Sequence, residues 1–390
     1  DPLYARALVL QRGELNLVLV AIDAVGIQRG EIVRIQAGLS ELKWLDPRHV
    51  VIASTHTHGG PDTLGLWGEP PFVSGIDRDY MDQLQDGVIA AVAKAHASLR
   101  PAEVASGTVQ MDAKGLMKNL RRPGVVDREL VVVHVRERES SATIATWVEL
   151  GCHPEVVGDW NTKVTADFPH WTVSRIERDL GGVAVYVSGA LGAMVSPDVG
   201  NAEKPEVAWA EAERVGLRVA EGALGVVRAL ASQSEKYERD PPLALWHAPL
   251  YILNRNSNYT IARWMGLLER ERLSGGYFET EVNLWQIVDL RVATVPGELS
   301  PHLGLQLKRF IEGHPTMIVG LANDELGYLL PSSEFELPIY EYERELCPGF
   351  DTGDRVVARL EELALLAAES EAGAQEASSA ETDPGGSSRP

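Results

Sequence analysis

The stretch HVVIASTHTHGGP, residues 49–61, places two histidines directly after an apolar run. Residues 49–53 predict a buried strand. Because side chains at positions i and i+2 of a strand point to the same face, we expect His56 and His58 to project together where the strand ends. Two imidazoles at a strand end are a common beginning of a metal site, and an exposed strand tip is the alternative interpretation. The small threonine and glycine neighbours leave room for an ion and a substrate, which favours the metal site.

The rest of the chain alternates between strand and helix patterns. Strands are predicted in a hairpin over residues 5–23 and at 104–111, 130–135, 142–149, 183–187, 243–253, 282–295 and 316–321. Helices are predicted at residues 30–44, 77–98, 168–180, 204–231, 301–312 and 354–368. This order predicts an α/β fold of layered, mixed β-sheets flanked by helices, in a single large catalytic domain over residues 1–368.

Both ends of the sequence carry their own expectation. The Glu/Ala/Ser/Gly/Pro bias of residues 369–390 does not suit a packed core, so we predict a disordered tail there. The chain opens on Asp1 without an initiator methionine and runs at once into strand-like sequence, so we expect its start to be trimmed. The compartment therefore stays open.

Composition limits the partners. The 390 residues include 36 Lys and Arg against 56 Asp and Glu, for a net charge of −20, which argues against nucleic acid and anionic membranes as electrostatic partners. The two cysteines, Cys152 and Cys347, allow one disulfide but no cysteine-based zinc site. No apolar run reaches the length of a transmembrane segment. The oligomeric state is left open.

Two further ligand types stand at predicted strand ends. His153 follows the strand at 142–149 and precedes Pro154, which blocks continuation of the strand. Glu298 follows Pro296-Gly297 at the end of another strand, where a carboxylate ligand and a simple acid at a helix N-terminus are both reasonable interpretations. His302, four residues on, is a reserve ligand that shares a helix face with Glu298.

A loop of small residues after the strand at 183–187 ends in Ser196-Pro197-Asp198. Glycines in such a loop let backbone N–H groups approach a ligand closely. Ser196 is then a nucleophile or a substrate contact, and the alternative is an ordinary turn residue.

Taken in order, these segments resemble the catalytic domain of the neutral/alkaline, non-lysosomal ceramidases. The family motifs His-Thr-His-Ser-Gly-Pro, Gly-Asp-Val-Ser-Pro-Asn, Pro-Gly-Glu and Asn-x-x-x-Gly-Tyr resemble residues 56–61, 193–198, 296–298 and 323–328, respectively. The family's downstream zinc histidine, its later Tyr-Glu and its Asn-Arg segment are similar to His153, to Tyr340-Glu341 and to residues 119–121.

The resemblance implies zinc held by four residues: His56, His153, Glu298 and Tyr328. It also implies roles for His58 and Arg121 at the substrate carbonyl, a catalytic role for Ser196, and Tyr340 as a substrate-binding residue. The implied activity is hydrolysis of an N-acyl amide, an N-acylsphingosine or a related lipid amide, to an amine and a fatty acid. Since a metal site already supplies an activated water, we favour attack by water with Ser196 holding the substrate over attack by Ser196 itself.

Departures from the family pattern bear on the substrate. Gly59 stands where the family has Ser, Met194 where it has Asp, and Asp198 where it has Asn. Two other functions therefore stay open. One is a zinc hydrolase of a non-sphingolipid amide or ester, and the other is a non-catalytic binding protein on the same fold.

Overall fold

Strands and helices alternate along the chain, as the sequence predicts. The computed structural model describes residues 1–70, 73–158, 160–200, 204–268, 273–311 and 313–382, with side chains as far as residue 373. Its strands are β1 Ala5–Arg12, β2 Leu15–Ile22, β3 Val50–Ser54, β4 Ala102–Gln110, β5 Met117–Asn119, β6 Glu129–Glu137, β7 Thr143–Leu150, β8 Val183–Ser188, β9 Val195–Pro197, β10 Leu243–Leu253, β11 Tyr277–Ile287, β12 Leu290–Thr294, β13 Glu298–Leu299, β14 Thr316–Val319 and β15 Tyr328–Leu329. Its helices are α1 Arg29–Leu39, α2 Arg78–Ala97, α3 Phe168–Leu180, α4 Pro205–Ala231, α5 Ser257–Trp264, α6 Pro301–Phe310, α7 Glu341–Glu345 and α8 Thr352–Thr382.

Three mixed sheets form the centre of the described part of the molecule. Their strand orders are β1-β2-β3, β4-β6-β7-β8 and β10-β11-β12-β14. In each sheet the last neighbours run parallel, namely β2 with β3, β7 with β8 and β12 with β14, while the other pairs are antiparallel. Two short pairs, β5 with β9 and β13 with β15, complete the arrangement.

Apolar residues pack on both faces of these sheets. On β6, Val132 packs into a core shared with α3 and α4, whereas Val131 and Val133 pack into a second core that joins all three sheets. This division follows from the two-residue period of a strand. Helices α1 and α2 cover the first sheet, and α6 and α8 cover the third. The predicted layered, mixed sheets flanked by helices are confirmed.

The carboxyl ends of the parallel strands meet at one place. The hydroxyl of Ser188, at the end of β8, donates to the Thr55 carbonyl at 2.8 Å, and the Ser188 carbonyl accepts the Gly320 N–H at 2.8 Å. The N–H of Ser54, at the end of β3, donates to the Leu321 carbonyl at 3.2 Å. Ligands commonly bind beyond the carboxyl ends of parallel strands, so the segments that continue from these ends are where a site is expected.

One predicted strand is in fact two. The apolar run at 282–295 predicts a single strand, but β11 and β12 form a hairpin in which Ile287 pairs with Leu290. Val288 turns the chain with a φ of 59°. Since the turn lacks the Asn-Gly or Asp-Gly sequence that normally marks such hairpins, the pattern gave no signal of it.

The last helix continues beyond residue 368, where the sequence predicts its end. Glu371 on α8 accepts from Arg291 Nη2 at 2.6 Å, which fixes this part of α8 on the third sheet. The predicted disorder from residue 369 onward stays a prediction, and residues 383–390 lie outside the described residues. Neither α8 nor any other helix of the described ranges is long and apolar enough to cross a membrane.

Candidate metal centre

His56 lies two residues beyond β3, in the left-handed region, with a φ of 68°. Such a backbone is uncommon for a residue other than glycine and is often found at functional sites. Its Nδ1 donates to the Val25 carbonyl at 2.5 Å, which leaves the Nε2 lone pair on the other side of the ring. The ring is buried, with 4% exposure. His56 is therefore held with Nε2 available as a ligand.

His153 lies three residues beyond β7 and is held in the same manner. Its backbone N–H and its Nδ1 both contact the Val195 carbonyl, at 2.9 and 3.0 Å. The second contact fixes Nδ1 as the protonated nitrogen, so the Nε2 of His153 also faces inward. A histidine that ligates a metal usually donates its other ring N–H to such a carbonyl.

Glu298 lies on β13, paired with Tyr328 on β15. The loop beneath it is so close that a Cβ at Gly192 would lie 2.2 Å from the Glu298 carbonyl oxygen, so only glycine fits there. Oε2 of Glu298 lies 3.0 Å from Nε2 of His153 and 3.6 Å from Nε2 of His56.

These three buried side chains converge. Their ligand atoms all lie within 4.8 Å of one another. Ligand atoms around a tetrahedral zinc lie about 3.3–3.5 Å apart, so the separations of 3.0 and 3.6 Å fit such an ion. Two imidazoles and one carboxylate are also the protein ligands of many catalytic zinc sites. The donor set therefore fits zinc.

Electrostatics of the cluster favour a cation. Burial, and then the neighbouring imidazoles, lower the pKa of His56 well below its usual range, so this ring is neutral. Burial alone would lower the pKa of His153, but the hydrogen bond to Glu298 and nearby carboxylates outweigh it and raise that pKa to about 9. Without a cation, a proton on His153 thus balances the buried carboxylate.

His58 stands beside the cluster and not within it. Its Nε2 lies 3.5 Å from Nε2 of His56, and its Nδ1 lies 3.9 Å from a carboxylate oxygen of Glu155. The side chain is 41% exposed. Burial of the remainder, and then His153, lower the pKa of His58, so it is neutral at pH 7. His56 and His58 lie close together as predicted, but for another reason. His56 lies beyond β3 in a turn, where the alternation of side chains along a strand does not apply.

Tyr328 adjoins Glu298. Its hydroxyl lies 3.4 Å from Sδ of Met194. Burial raises the pKa of the Glu298 carboxyl, and His153 and then the nearby Tyr328 hydroxyl moderate that rise. Burial, and then Glu298, raise the pKa of Tyr328 far above its usual range, so the side chain is a neutral phenol when no cation is bound.

Ser196 lies on β9, next to the Val195 carbonyl that holds His153. Its hydroxyl is buried and has no hydrogen-bond partner among the described residues. A nucleophilic serine is normally hydrogen-bonded to its base, and this arrangement is absent from the described part of the chain.

Arg121 and Tyr340 each contact a buried acid. Nε of Arg121 donates to Glu343 at 2.6 Å, and Glu343 in turn contributes to the raised pKa of Tyr328. The hydroxyl of Tyr340 lies 3.1 Å from Glu334. The reserve ligand His302 also contacts Glu334, at 2.9 Å, and is not part of the converging cluster.

Sequence reasoning missed two neighbours of the cluster, Glu155 and Tyr342. Glu155 directly follows His153-Pro154, and this adjacency was an available signal. The ring of Tyr342 lies 5.8 Å from that of Tyr328, centroid to centroid. Tyr342-Glu343 repeats the dipeptide Tyr340-Glu341 two residues further along, so the family's Tyr-Glu motif was an available signal for Tyr342 as well.

One of the departures from the family motifs has a structural reason. A Cβ at Gly59 would lie 2.5 Å from Cγ2 and 2.7 Å from the carbonyl oxygen of Thr165, so a serine does not fit there without a shift. Asp198 accepts the Gly115 N–H at 2.7 Å, a contact that the side-chain oxygen of an asparagine would make equally well.

A groove of about 970 Å³ runs along β1, but none of the three converging residues lines it. Among the described residues that line this groove, no group of His, Cys, Asp or Glu side chains converges in a way that could hold a metal ion. We therefore assign the candidate site from the chemistry of the converging side chains and not from the size of a cavity.

By sequence, no protein-family model and no curated protein matches this chain. By structure, it is similar to the neutral ceramidase from Pseudomonas aeruginosa, with a TM-score of 0.75, 16% identity, and coverage of 94% of this chain and 69% of that chain. A second solved structure, a ceramidase complexed with C2, matches with a TM-score of 0.73, 16% identity, and coverage of 94% and 70%. The resemblance stated from the motifs is thus confirmed at the level of the fold.

Proposed function

We propose that this chain is a zinc-dependent hydrolase that cleaves an N-acyl amide bond in a ceramidase-like reaction. The observation that carries the proposal is the buried convergence of His56, His153 and Glu298, with both Nε2 atoms turned toward the carboxylate. The structural likeness to two ceramidases supports the amide as the bond cleaved and a lipid amide such as an N-acylsphingosine as the candidate substrate.

In this proposal, His56, His153 and Glu298 hold the metal, and Tyr328 is the fourth ligand or a hydrogen-bond donor beside it. A zinc ion held by these residues would supply a Lewis acid for an amide carbonyl and a bound water with a pKa of about 7. The three proposed ligand side chains are at most 8% exposed, so the protein shields the site from solvent.

His58 is the proposed proton carrier. As a neutral imidazole at the edge of the cluster, it accepts a proton from the attacking water and returns it to the leaving amine. The carboxylate of Glu155, 3.9 Å from Nδ1, favours the tautomer with a proton on Nδ1 and so leaves Nε2 as the base.

Arg121 is the proposed donor to the developing oxyanion. Glu343 holds its Nε at 2.6 Å, which leaves the terminal guanidinium nitrogens as donors for a substrate oxygen. Since Glu343 is completely buried, loss of this ion pair would leave a buried carboxylate without its partner, which favours a fixed position for Arg121.

A hydrolysis screen with and without chelator tests the proposal. Matched N-acyl and O-acyl substrates of short and long chain length, N-acylsphingosine included, are incubated with zinc-loaded protein. We expect cleavage of N-acyl amides that stops on chelation and returns with zinc. Cleavage of the esters alone would indicate the ester hydrolase, and stoichiometric zinc without any cleavage would indicate a binding protein.

Replacing Ser196 with alanine is expected to raise the activation free energy that kcat/KM reports by about 1–3 kcal/mol, the cost of an unmade polar contact. The reason is that the hydroxyl has no hydrogen-bonded base in the described structure, so it serves to hold the substrate. Steady-state kinetics of Ser196→Ala provide the measurement. A loss of about 10⁶ in kcat, the scale of nucleophile removal, or an acyl group found on Ser196 by mass spectrometry, would show that serine attacks.

Zinc affinity is expected to fall as the pH falls below about 9. The ion must displace the proton that the Glu298 hydrogen bond holds on His153, whose pKa is about 9. Between pH 8 and pH 6 the dissociation constant should therefore rise about tenfold per pH unit. Competition with a chromophoric chelator measures it, and calorimetry in two buffers counts the released proton. An affinity that does not change over this range would contradict the proton assignment.

A further inference from the structure

The loop that precedes Ser196 directs Met194 toward the centre. Ala193 and Met194 both adopt left-handed backbone, with φ of 57° and 55°. Two adjacent residues of this kind are costly for side chains other than glycine, and they persist only where the surroundings fix them. Here the Leu120 N–H donates to the Met194 carbonyl at 3.0 Å, and the thioether lies 3.4 Å from the Tyr328 hydroxyl.

Tyr342 lies near the same phenol. Its ring centroid is 5.8 Å from that of Tyr328, in an edge-on arrangement, and half of the side chain is exposed. Leu120, joined to Met194 through the backbone, is 49% exposed. A thioether and an aromatic ring therefore adjoin Tyr328, which itself pairs with Glu298 across β13 and β15.

We propose that Met194 and Tyr342 form a specificity wall that accepts an apolar chain, without a hydroxyl group, directly next to the bond that is cleaved. That this wall lies next to the cleaved bond rests on the proposed function. The wall names the acid part of the substrate more closely: amides of unsubstituted fatty or other apolar acids, in place of acids that carry a hydroxyl on the carbon next to the carbonyl.

The chemistry of position 194 carries this choice. A carboxylate such as that of aspartate is a strong hydrogen-bond acceptor for a hydroxyl group, whereas a thioether is a weak one. A hydroxyl placed against Met194 loses its water without a comparable partner in exchange. An apolar pocket rejects one added hydroxyl by a factor of up to about 100, so a preference of about 10- to 100-fold is expected.

Equilibrium binding of two fatty acids tests the wall without turnover. Decanoic acid and 2-hydroxydecanoic acid are titrated into zinc-loaded protein by calorimetry. Wild type is expected to bind decanoic acid at least about tenfold more tightly. Met194→Asp should reduce this ratio below about threefold, because the new carboxylate accepts from the 2-hydroxyl. The ratio cancels the repulsion that a carboxylate at 194 exerts equally on both acids.

Met194→Leu is the matched control variant. Leucine keeps an apolar side chain at position 194, so this variant should keep the preference for decanoic acid. Zinc content of each variant shows that the ligands remain in place. Equal affinity of wild type for the two acids, no measurable binding of decanoic acid, or an unchanged ratio in Met194→Asp would each overturn the wall. A preserved preference in a protein that hydrolyses no amide would instead refute the proposed function and leave the wall standing.

Discussion

Replacing His56 and His153 together by alanine is expected to reduce bound zinc from about one ion per chain to a trace. The two Nε2 atoms supply two of the three buried ligands, and Glu298 alone has no partner that would hold an ion at low concentration. Hydrolysis should fall by about 10³-fold or more, because a catalytic metal contributes several kcal/mol to the stabilisation of the transition state. Elemental analysis of the purified variants measures the metal, and an N-acyl amide assay measures the rate.

His302→Ala is the matched control for this loss of metal. His302 is a histidine of the same region with 45% side-chain exposure, and it contacts Glu334 in place of the cluster. It should retain about one zinc per chain. Stoichiometric zinc in the double variant would refute the metal centre, since no other group of His, Cys, Asp or Glu in the described residues converges in this way.

The ligand-type residues were found from sequence because each follows the end of a strand. His56 follows β3, His153 follows β7, and Glu298 follows β12. Abrupt ends marked by glycine and proline are local signals, and strand ends are local as well. Strand ends thus marked these residues as candidates, and the family resemblance selected His56, His153 and Glu298 among them as a common set. The sheet orders, which bring those three ends together, depend on pairings between distant segments and were not predictable from local patterns.

The supporting contacts show the limit of sequence reasoning. The left-handed backbone of His56 replaces the predicted alternation of a strand, and the carbonyls that fix the two rings come from Val25 and Val195, 31 and 42 residues away. Tyr342 reaches Tyr328 from a five-residue helix. Such contacts are set by tertiary packing, which leaves no periodic trace in the sequence.

Replacing His58 by alanine is expected to leave the zinc in place and to lower kcat by about 10²- to 10⁴-fold, the usual contribution of a general acid–base. The two proposed roles differ in burial and in contacts. The proposed ligands His56 and His153 are 4% and 1% exposed, and Nδ1 of each contacts a backbone carbonyl. His58 is 41% exposed on its side chain, and its Nδ1 faces the carboxylate of Glu155 instead.

This division follows from what each role needs. A ligand must be fixed and shielded, whereas a proton carrier must reach both substrate and solvent, and only His58 of the three has an exposed edge. Zinc content and kcat of His58→Ala are therefore compared with those of His56→Ala under the same conditions. Loss of zinc to the same extent in both variants would make His58 a ligand. Retained zinc together with an undiminished kcat would instead mean that another group carries the proton. Glu155, which lies beside His58, would be the first candidate.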